Sequence, residues 1–530
     1  MNVRHFHFYN EKMTTIQLPT KALSVPKLKH WLLILLVTIT PSLVSYLLIT
    51  VGGNHINDFM PRWSDEVSYW TQINTFRQVG LNGGYFTIKE LAPPAEFTHF
   101  YTYGPWYPGL YGTIARFIGW SSTTILFINT LLIGLALMIF CVAARLDERQ
   151  LLMTILMLAT MWGLLLYLFT GMQEAYQQTL AVLLASMFVI ALREREKIST
   201  PYKWVGMLLI AFAAVMRLSW AILFVPFLVL TSKKTIRYWI TNVVISLLAT
   251  LIVMLFANYT GAPGNNSIFD MVTAFRISLG EGLNYFVQYF AHNLGRLLFL
   301  SKLGTDVLQT YQVVGLIIAL SAFALQLYLH RKRKSPLRAE ALFHLYNLAV
   351  TVLAACALYI IGTGGDYRLL ACHFMISLLL LIAFKRYRPV LMIAAINIVF
   401  VFTFLGDFQG VVISKYDPDH TAYITFKQVA GTNLHYDSRT TNAWCNTLLF
   451  AVKYYDGPSL VGTPVGIGLS FFKNAADPVL TFKSRYLLLD DDDYRIISQR
   501  TNAPQLTHLA DTSIGRLYLN QSTDCPKGGA

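Results

Sequence analysis

Runs of about 17–25 mostly apolar residues recur along the chain, a length that matches a hydrocarbon core about 30 Å thick. They fall at 30–51, 121–144, 151–169, 172–192, 238–257, 307–329, 341–361, 369–384 and 389–405. The runs at 151–169 and 172–192 are nearly contiguous and predict a tight hairpin of two spans. The stretch 204–230 is apolar but carries Arg217 in its middle. Its halves are too short to span singly, so it predicts a helix pair that dips in and returns. With that pair counted as two, the pattern predicts an α-helical polytopic membrane protein of about eleven transmembrane helices over 30–406.

Polar stretches separate these runs. Residues 1–29 form a short leading segment, and two longer loops occupy 52–120 and 258–306. In the second loop Phe286, Phe290, Leu294 and Leu298 recur at helical spacing, which predicts an amphipathic helix lying in the interface. From 407 to 530 the pattern changes to that of a small soluble α/β domain. Strands are predicted at 422–429 and 486–489 and a helix at 441–455, with Gly457-Pro458 and Thr463-Pro464 as punctuation.

Composition agrees with a lipid-solvated chain: 55% of residues are hydrophobic and 13% charged, with a mean hydropathy of +0.48. The net charge of +14 could suggest nucleic acid, but its distribution excludes that reading. Lys27 and Lys29; Arg193, Arg195, Lys197 and Lys203; Lys233, Lys234 and Arg237; Arg331 to Lys334 with Arg338; and Lys385, Arg386 and Arg388 all fall between apolar runs. Threaded through eleven spans, every cluster lies on one side, which the positive-inside rule makes cytoplasmic. The N-terminus is then cytoplasmic, and both long loops and the C-terminal domain face outside. The first apolar run is long enough to span and lacks a small-residue cleavage site, so it reads as an anchor and not as a cleavable leader. Cys141, Cys356 and Cys372 lie in apolar runs and read as buried small hydrophobes. Cys445 and Cys525 lie in the polar tail and can pair if that tail is exported.

Candidate chemistry concentrates in the first outside loop. Ser64-Asp65-Glu66-Val67-Ser68-Tyr69-Trp70 opens a predicted helix with two acids in its first turn. Carboxylates there complement the helix dipole even when they do nothing else. Further on, Phe97-Thr98-His99-Phe100-Tyr101-Thr102-Tyr103-Gly104-Pro105-Trp106-Tyr107-Pro108 forms an aromatic turn before the chain re-enters lipid. It reads either as an interfacial belt or as the wall of a sugar site, since aromatic faces pack against the apolar face of a pyranose.

A long first outside loop with an Asp-Glu pair near its start and a Gly-Pro-x-Tyr-Pro turn before the second span resembles the GT-C superfamily of glycosyltransferases. These are multispanning enzymes that use polyprenyl-phosphate sugars, among them the protein O-mannosyltransferases and the lipid A aminoarabinose transferases. Asp65-Glu66-Val67 resembles the Asp-Glu-Val of the mannosyltransferases, and Gly104 to Pro108 the turn of the bacterial group. Gly171-Met172-Gln173-Glu174 resembles the polar-acidic opening of a fourth span. Asp366-Tyr367-Arg368-Leu369-Leu370 resembles the family's late Arg-Tyr-Leu-Leu-Pro, with Tyr and Arg exchanged and the proline missing. The C-terminal domain has no counterpart in that resemblance.

The resemblance implies a mechanism. A base removes the acceptor hydroxyl proton while cations hold the polyprenyl phosphate, and in-line attack inverts the anomeric carbon. Asp65 is then the expected base, and Glu66 orients it or positions the acceptor. Arg217, Arg276, Arg296 and Arg368 are the candidate phosphate contacts, with Lys302 beside them. His99, Tyr101, Tyr103, Trp106, Tyr107 and Glu174 are candidates to line the substrate. Each has an ordinary alternative: Arg217 as a structural or snorkelling arginine, the loop arginines as headgroup contacts, and His99 as a packing residue.

The acceptor is a lipid, a glycan or a protein, and membrane lipids surround the chain. No cofactor is required by this chemistry, and metal dependence stays open. No His and Cys spacing suits zinc, and the run Asp490 to Asp493 lacks the spaced ligands of a calcium loop, so it reads as a solvated turn. Walker and Rossmann glycine patterns are absent. The bacterial inner membrane is the expected location, or the endoplasmic reticulum membrane in a eukaryotic host. Two other functions stay open: a transporter or flippase, which usually shows repeated halves, and a non-catalytic subunit of a glycan-assembly complex.

Overall fold

In the computed structural model, residues 28–51, 59–61, 64–82, 104–121, 123–232, 235–261, 267–298, 337–358, 368–403, 414–415, 434–437, 442–454, 466–512 and 514–525, with 56 and 440, are described. The helices run α1 Leu28–Thr50, α2 Ser64–Val79, α3 Trp106–Ile118, α4 Thr124–Ala143, α5 Glu148–Thr160, α6 Gln173–Glu194 and α7 Thr200–Met216. They continue as α8 Phe224–Thr231, α9 Ile236–Thr260, α10 Ser267–Ile277, α11 Leu279–Leu298, α12 Leu337–Leu358, α13 Arg368–Ala383 and α14 Tyr387–Thr403. Among the described residues, five segments, Leu28–Thr50, Thr124–Ala143, Gln173–Glu194, Ile236–Ala257 and Ala339–Ala357, are long and apolar enough to cross a membrane. Shorter apolar segments lie at Thr200–Met216, Leu218–Thr231, Leu370–Ala383 and Tyr387–Val399. The run expected at 307–329 lies outside the described residues.

Helix α6 is the axis of the bundle, buried along almost its whole length between α4 and α13. Helices α1 and α9 lie at the rim. Leu32, Leu35, Ile39 and Leu43 of α1 and Leu247, Leu251, Ile252 and Leu255 of α9 are exposed, whereas Val37 and Ser45 of α1 face inward. An apolar exterior around an interior that holds polar groups is the arrangement that lipid, and not water, solvates.

Two elements refine the expected spans. Helix α7 ends at Met216, where Arg217 turns extended (φ −154°, ψ 114°), and a 3₁₀ segment Leu218–Leu223 leads into α8. The rings of Tyr202 and Phe227 lie 6.3 Å apart, so α8 folds back along α7 and the pair forms the expected hairpin with Arg217 at its tip. The expected span 151–169, by contrast, is not one helix. Helix α5 stops at Thr160, a single turn covers Trp162–Leu165, and non-helical backbone continues to Met172.

One end of the bundle gathers the basic residues. Lys29 in the first turn of α1 pairs with Glu148 of α5 at 2.6 Å, Lys385 after α13 with Asp147 before α5 at 2.8 Å, and Arg386 approaches Glu340 of α12 at 3.5 Å. Arg193 at the end of α6 donates to the carbonyls of Ala144 and Ala383, at 2.7 and 3.2 Å, where α4 and α13 terminate. A guanidinium on two helix C-termini satisfies their unpaired carbonyls and complements their dipoles. Three of the basic clusters that the charge pattern placed on one side therefore meet in one layer.

Helices α10 and α11 confirm helical structure in the second long loop. Phe290 and Leu294 pack against Ala355, Cys356 and Leu370, and Asn293 donates to the Cys356 carbonyl at 2.8 Å.

The C-terminal domain is a five-stranded sheet in the order β4-β3-β5-β7-β6. Its strands are β3 Thr447–Ala451, β4 Gly468–Phe472, β5 Tyr486–Leu489, β6 Leu506–Thr512 and β7 Gly515–Asn520. β3 runs parallel to β4 and β5, while β7 is antiparallel to β5 and β6. A two-residue ladder joins β1 Phe59–Met60 of the first loop to β2 Ser414–Lys415 after α14. The strand expected at 486–489 is present; that expected at 422–429 lies outside the described residues. The helix expected at 441–455 is a correction: it is a 3₁₀ turn Ala443–Asn446 followed by β3. Both faces of β3 are buried, Leu448 and Phe450 on one and Leu449 and Ala451 on the other, so its apolar run has no alternation that would betray a strand. The acids expected to form a solvated turn instead start helix α15, Asp491–Ser498: Asp490 accepts from the Asp493 amide as its N-cap and pairs with Lys453. Cys445 and Cys525 form a disulfide, with Cα atoms 5.6 Å apart, and the other three cysteines are buried thiols.

Thiol titration of the denatured, non-reduced protein should find three free cysteines, rising to five after reduction. Asp147 is the N-cap of α5. Partial burial raises its carboxyl, but Lys385 and the Gln150 amide outweigh this and hold it below the ordinary aspartate value. Its contribution is therefore complete at neutral pH and lost as pH falls from about 3.9 through the lowered value. Asp147→Ala should cost about 1 kcal/mol at neutral pH, a difference that narrows in acid when thermal unfolding in detergent is compared with wild type.

Candidate functional site

The candidate site lies at the end of the bundle opposite the basic layer and is organised by the non-helical backbone at 166–172. Every one of these residues is buried, so its amides and carbonyls need protein partners. They come from three helices, and a fourth caps the turn just before them. Ser45 of α1 donates to the Leu165 carbonyl at 3.1 Å. Asn129 of α4 donates to the carbonyls of Leu168 and Thr170 at 2.9 and 3.0 Å, and itself accepts from the Tyr111 hydroxyl at 2.6 Å. The Tyr107 hydroxyl of α3 donates to the Gly171 carbonyl at 3.0 Å. Glu66 of α2 accepts from the Gly171 amide at 2.6 Å.

That last bond defines what Glu66 does: it docks the first turn of α2 on the segment leading into α6. Asp65, its neighbour, is half-buried on the flank of α2 that also carries Ser68 and Gln72. Helix α2 is held further by Tyr69, Trp70 and Ile73, which enter the main core. At its far end Arg116 of α3 donates to the carbonyls of Arg77 and Phe76, at 2.6 and 3.2 Å.

Three residues beyond Gly171, Glu174 opens α6 and forms an ion pair with Arg217 at 2.8 Å. Both side chains are about 95% buried. Each sits at the helix end that favours its charge, Glu174 in the first turn of α6 and Arg217 at the C-terminus of α7. Arg217 also approaches the Cys372 sulfur at 4.0 Å. Beside the pair, Trp220 donates to Gln177 at 2.6 Å and stacks on His373 with ring centroids 4.3 Å apart.

The aromatic turn is ordered by close packing. Gly104 has φ +74°, and a Cβ there would lie 2.8 Å from the Thr260 hydroxyl, so only glycine fits. Trp106 donates to that hydroxyl at 3.3 Å and packs on Phe256. Tyr107 is fully buried between Tyr69 and Tyr111. Burial, together with the Glu174 and Glu66 carboxylates, pushes its phenol well above the ordinary value, so it remains a hydrogen-bond donor.

Of the residues the sequence singled out, Asp65, Glu66, Trp106, Tyr107, Glu174 and Arg217 are thus brought to one end of the bundle. Arg276 is exposed on α10 and Arg296 half-buried on α11. Arg368 is the first residue of α13, its side chain outside the described residues, as are His99, Tyr101, Tyr103 and Lys302. Asn129, Tyr111, Gln177, Trp220 and His373 were missed. Asn129 carried a legible signal, a lone amide in an otherwise apolar run where a polar side chain needs a partner. Among the described residues, no group of three or more His, Cys, Asp or Glu side chains is placed to hold a metal ion.

Breaking the buried ion pair leaves one charge uncompensated. Glu174→Gln alone should cost about 3–5 kcal/mol, read as reduced thermal stability in nanodiscs. The double change Glu174→Gln with Arg217→Met should recover most of that loss without restoring any function that needs the guanidinium.

Comparison of the chain with models of known protein families finds no match, and comparison with curated proteins finds none.

Proposed function

We propose that this chain is an integral membrane glycosyltransferase of the GT-C type, with about eleven spans. It transfers a sugar from a polyprenyl-phosphate donor to an acceptor hydroxyl on the outer face of the membrane, with inversion at the anomeric carbon. One observation carries the reading: Glu66 bonds the Gly171 amide and so presents Asp65 beside a segment whose Glu174 holds a buried arginine. A carboxylate and a guanidinium carried at the same end of the bundle, the one on the first turn of α2 and the other paired with Glu174, are the two groups that transfer from a lipid phosphate needs. Asp65 takes the hydroxyl proton as the new glycosidic bond forms and the phosphate leaves, and Arg217 stabilises the departing phosphate. Arg276, Arg296 and Arg368 are further donor contacts in this reading. The basic layer faces the cytoplasm, and the C-terminal domain with its disulfide faces the oxidising side, the periplasm if the membrane is a bacterial inner membrane.

A second reading, a transporter, draws on a different feature. Glu340, His344, Asn347 and Thr351 form a buried polar stripe along α12, and Asn347 bonds the His373 carbonyl and Ser377. Ionisable residues facing a bundle interior mark ion or substrate paths. Flux of a labelled polyprenyl-phosphate sugar across sealed vesicles, without transfer, would favour that reading.

The deciding experiment uses the protein in nanodiscs with a panel of labelled polyprenyl-phosphate sugars and native lipid extract. Wild type should transfer or release one sugar, and Asp65→Asn should lower that rate by roughly 10²–10⁴-fold while donor binding persists. Turnover that survives the substitution removes Asp65 as the base.

A further inference from the structure

The C-terminal sheet reaches beyond its own domain. One face of it packs Leu448, Phe450, Ile467, Leu469, Leu488 and Leu517 into a core that includes Val67 of α2, which is fully buried. Two turns further along the same flank, the Thr75 hydroxyl accepts from the Gly466 amide at 3.3 Å. Positions 67 and 75 lie on the side of α2 away from Tyr69, Trp70 and Ile73, which belong to the membrane-domain core. Helix α2 is therefore held between two cores, and Asp65 lies on its first turn between the two contact faces. The β1–β2 ladder ties the same loop to the chain that leads into the domain.

Gly466 is built for this contact. Its φ is +88°, and a Cβ would come within 2.4 Å of the Tyr436 ring. Only glycine turns the chain there and brings its amide to Thr75. The opposite face of the sheet is closed by Ile497 of α15, and Cys445, just before β3, is bonded to Cys525 after β7. The surface offered to α2 is thus the inner face of a stapled sheet and not a loose appendage.

We propose that the C-terminal domain is a working part of the site, a clamp that fixes the axial position and rotation of α2 through the positioning residues Val67 and Thr75, and so sets where Asp65 meets the acceptor. The proposal rests on the glycosyltransferase reading for its catalytic consequence and on geometry alone for the clamp. Because the donor lipid binds on the bundle side, the clamp governs the chemical step more than donor affinity. A small displacement of a base costs large factors in rate.

The test compares wild type, Thr75→Val, Thr75→Ser and Gly466→Ala as full-length protein in nanodiscs. Amide hydrogen exchange is read over 64–79 and over 173–194, with donor turnover read alongside. Thr75→Val and Gly466→Ala should each speed exchange across 64–79 while leaving 173–194 unchanged. Both should lower kcat roughly ten- to hundredfold with the donor KM unchanged, and Thr75→Ser should restore both readouts. Unchanged exchange over 64–79 in Thr75→Val, or equal loss in the Ser and Val variants, overturns the clamp. Faster exchange with kcat intact overturns its catalytic role. If wild type turns over no donor, the glycosyltransferase reading falls, and the exchange result still decides the clamp.

Discussion

A stretch of non-helical backbone buried inside a helical bundle must have its polar groups paired, and here that demand falls on residues 166–172. In water such a loop would find solvent; inside an apolar molecule each unpaired amide or carbonyl costs about 1–3 kcal/mol. Asn129, Tyr107 and Glu66 meet the need from three different helices, and Ser45 of a fourth caps the preceding turn at Leu165. Two of these helices, α2 and α3, belong to a loop whose apolar residues already pack on the bundle, and these bonds fix where its first turn docks. Satisfying the loop therefore assembles the candidate site: the bond that stabilises Gly171 docks the Asp65-Glu66 turn three residues before Glu174, the partner of Arg217.

The buried Glu174–Arg217 pair repeats this logic with charge. Neither group gains much from the other once desolvation is counted, and an apolar substitute of the same volume would be about as stable. Its value lies in what it specifies. Arg217 ends α7 and turns the chain into α8, while Glu174 begins α6, so the pair registers the tip of the hairpin against the head of the axial helix. In the proposed reaction the same guanidinium also holds the donor phosphate. Structure and proposed chemistry thus draw on one contact, and removing either partner disturbs both.

The two ends of the molecule differ in kind. At the basic end Arg193 closes two helix termini, and Lys29 and Lys385 pair with acids at the surface, where such contacts are individually weak but collectively orient the bundle. At the other end the ionic and polar groups are buried, fewer and mutually dependent. Changes there are less local, because one side chain can serve several partners, as Asn129 does for Leu168, Thr170 and Tyr111.

Much of this was legible in the linear pattern. Apolar run length anticipated the helices that are long and apolar enough to cross a membrane, because hydrocarbon thickness and helix rise leave little freedom. The basic clusters anticipated which segments would meet in one layer, and Arg217 marked the tip of a hairpin because a charge there could not continue an apolar helix. Cys445 and Cys525 stood out as a possible pair, though only folding could bring positions 80 residues apart within bonding distance. The tertiary structure alone decided that 151–169 breaks after Thr160, because the partners that make a break tolerable come from distant helices. It alone decided that 447–451 is a strand, since an apolar run covered on both faces has no period to read. It alone separated Glu66 from Asp65, adjacent acids that look equivalent in sequence: a helix turns about 100° per residue, and that rotation points Glu66 at the Gly171 amide and leaves Asp65 on the flank.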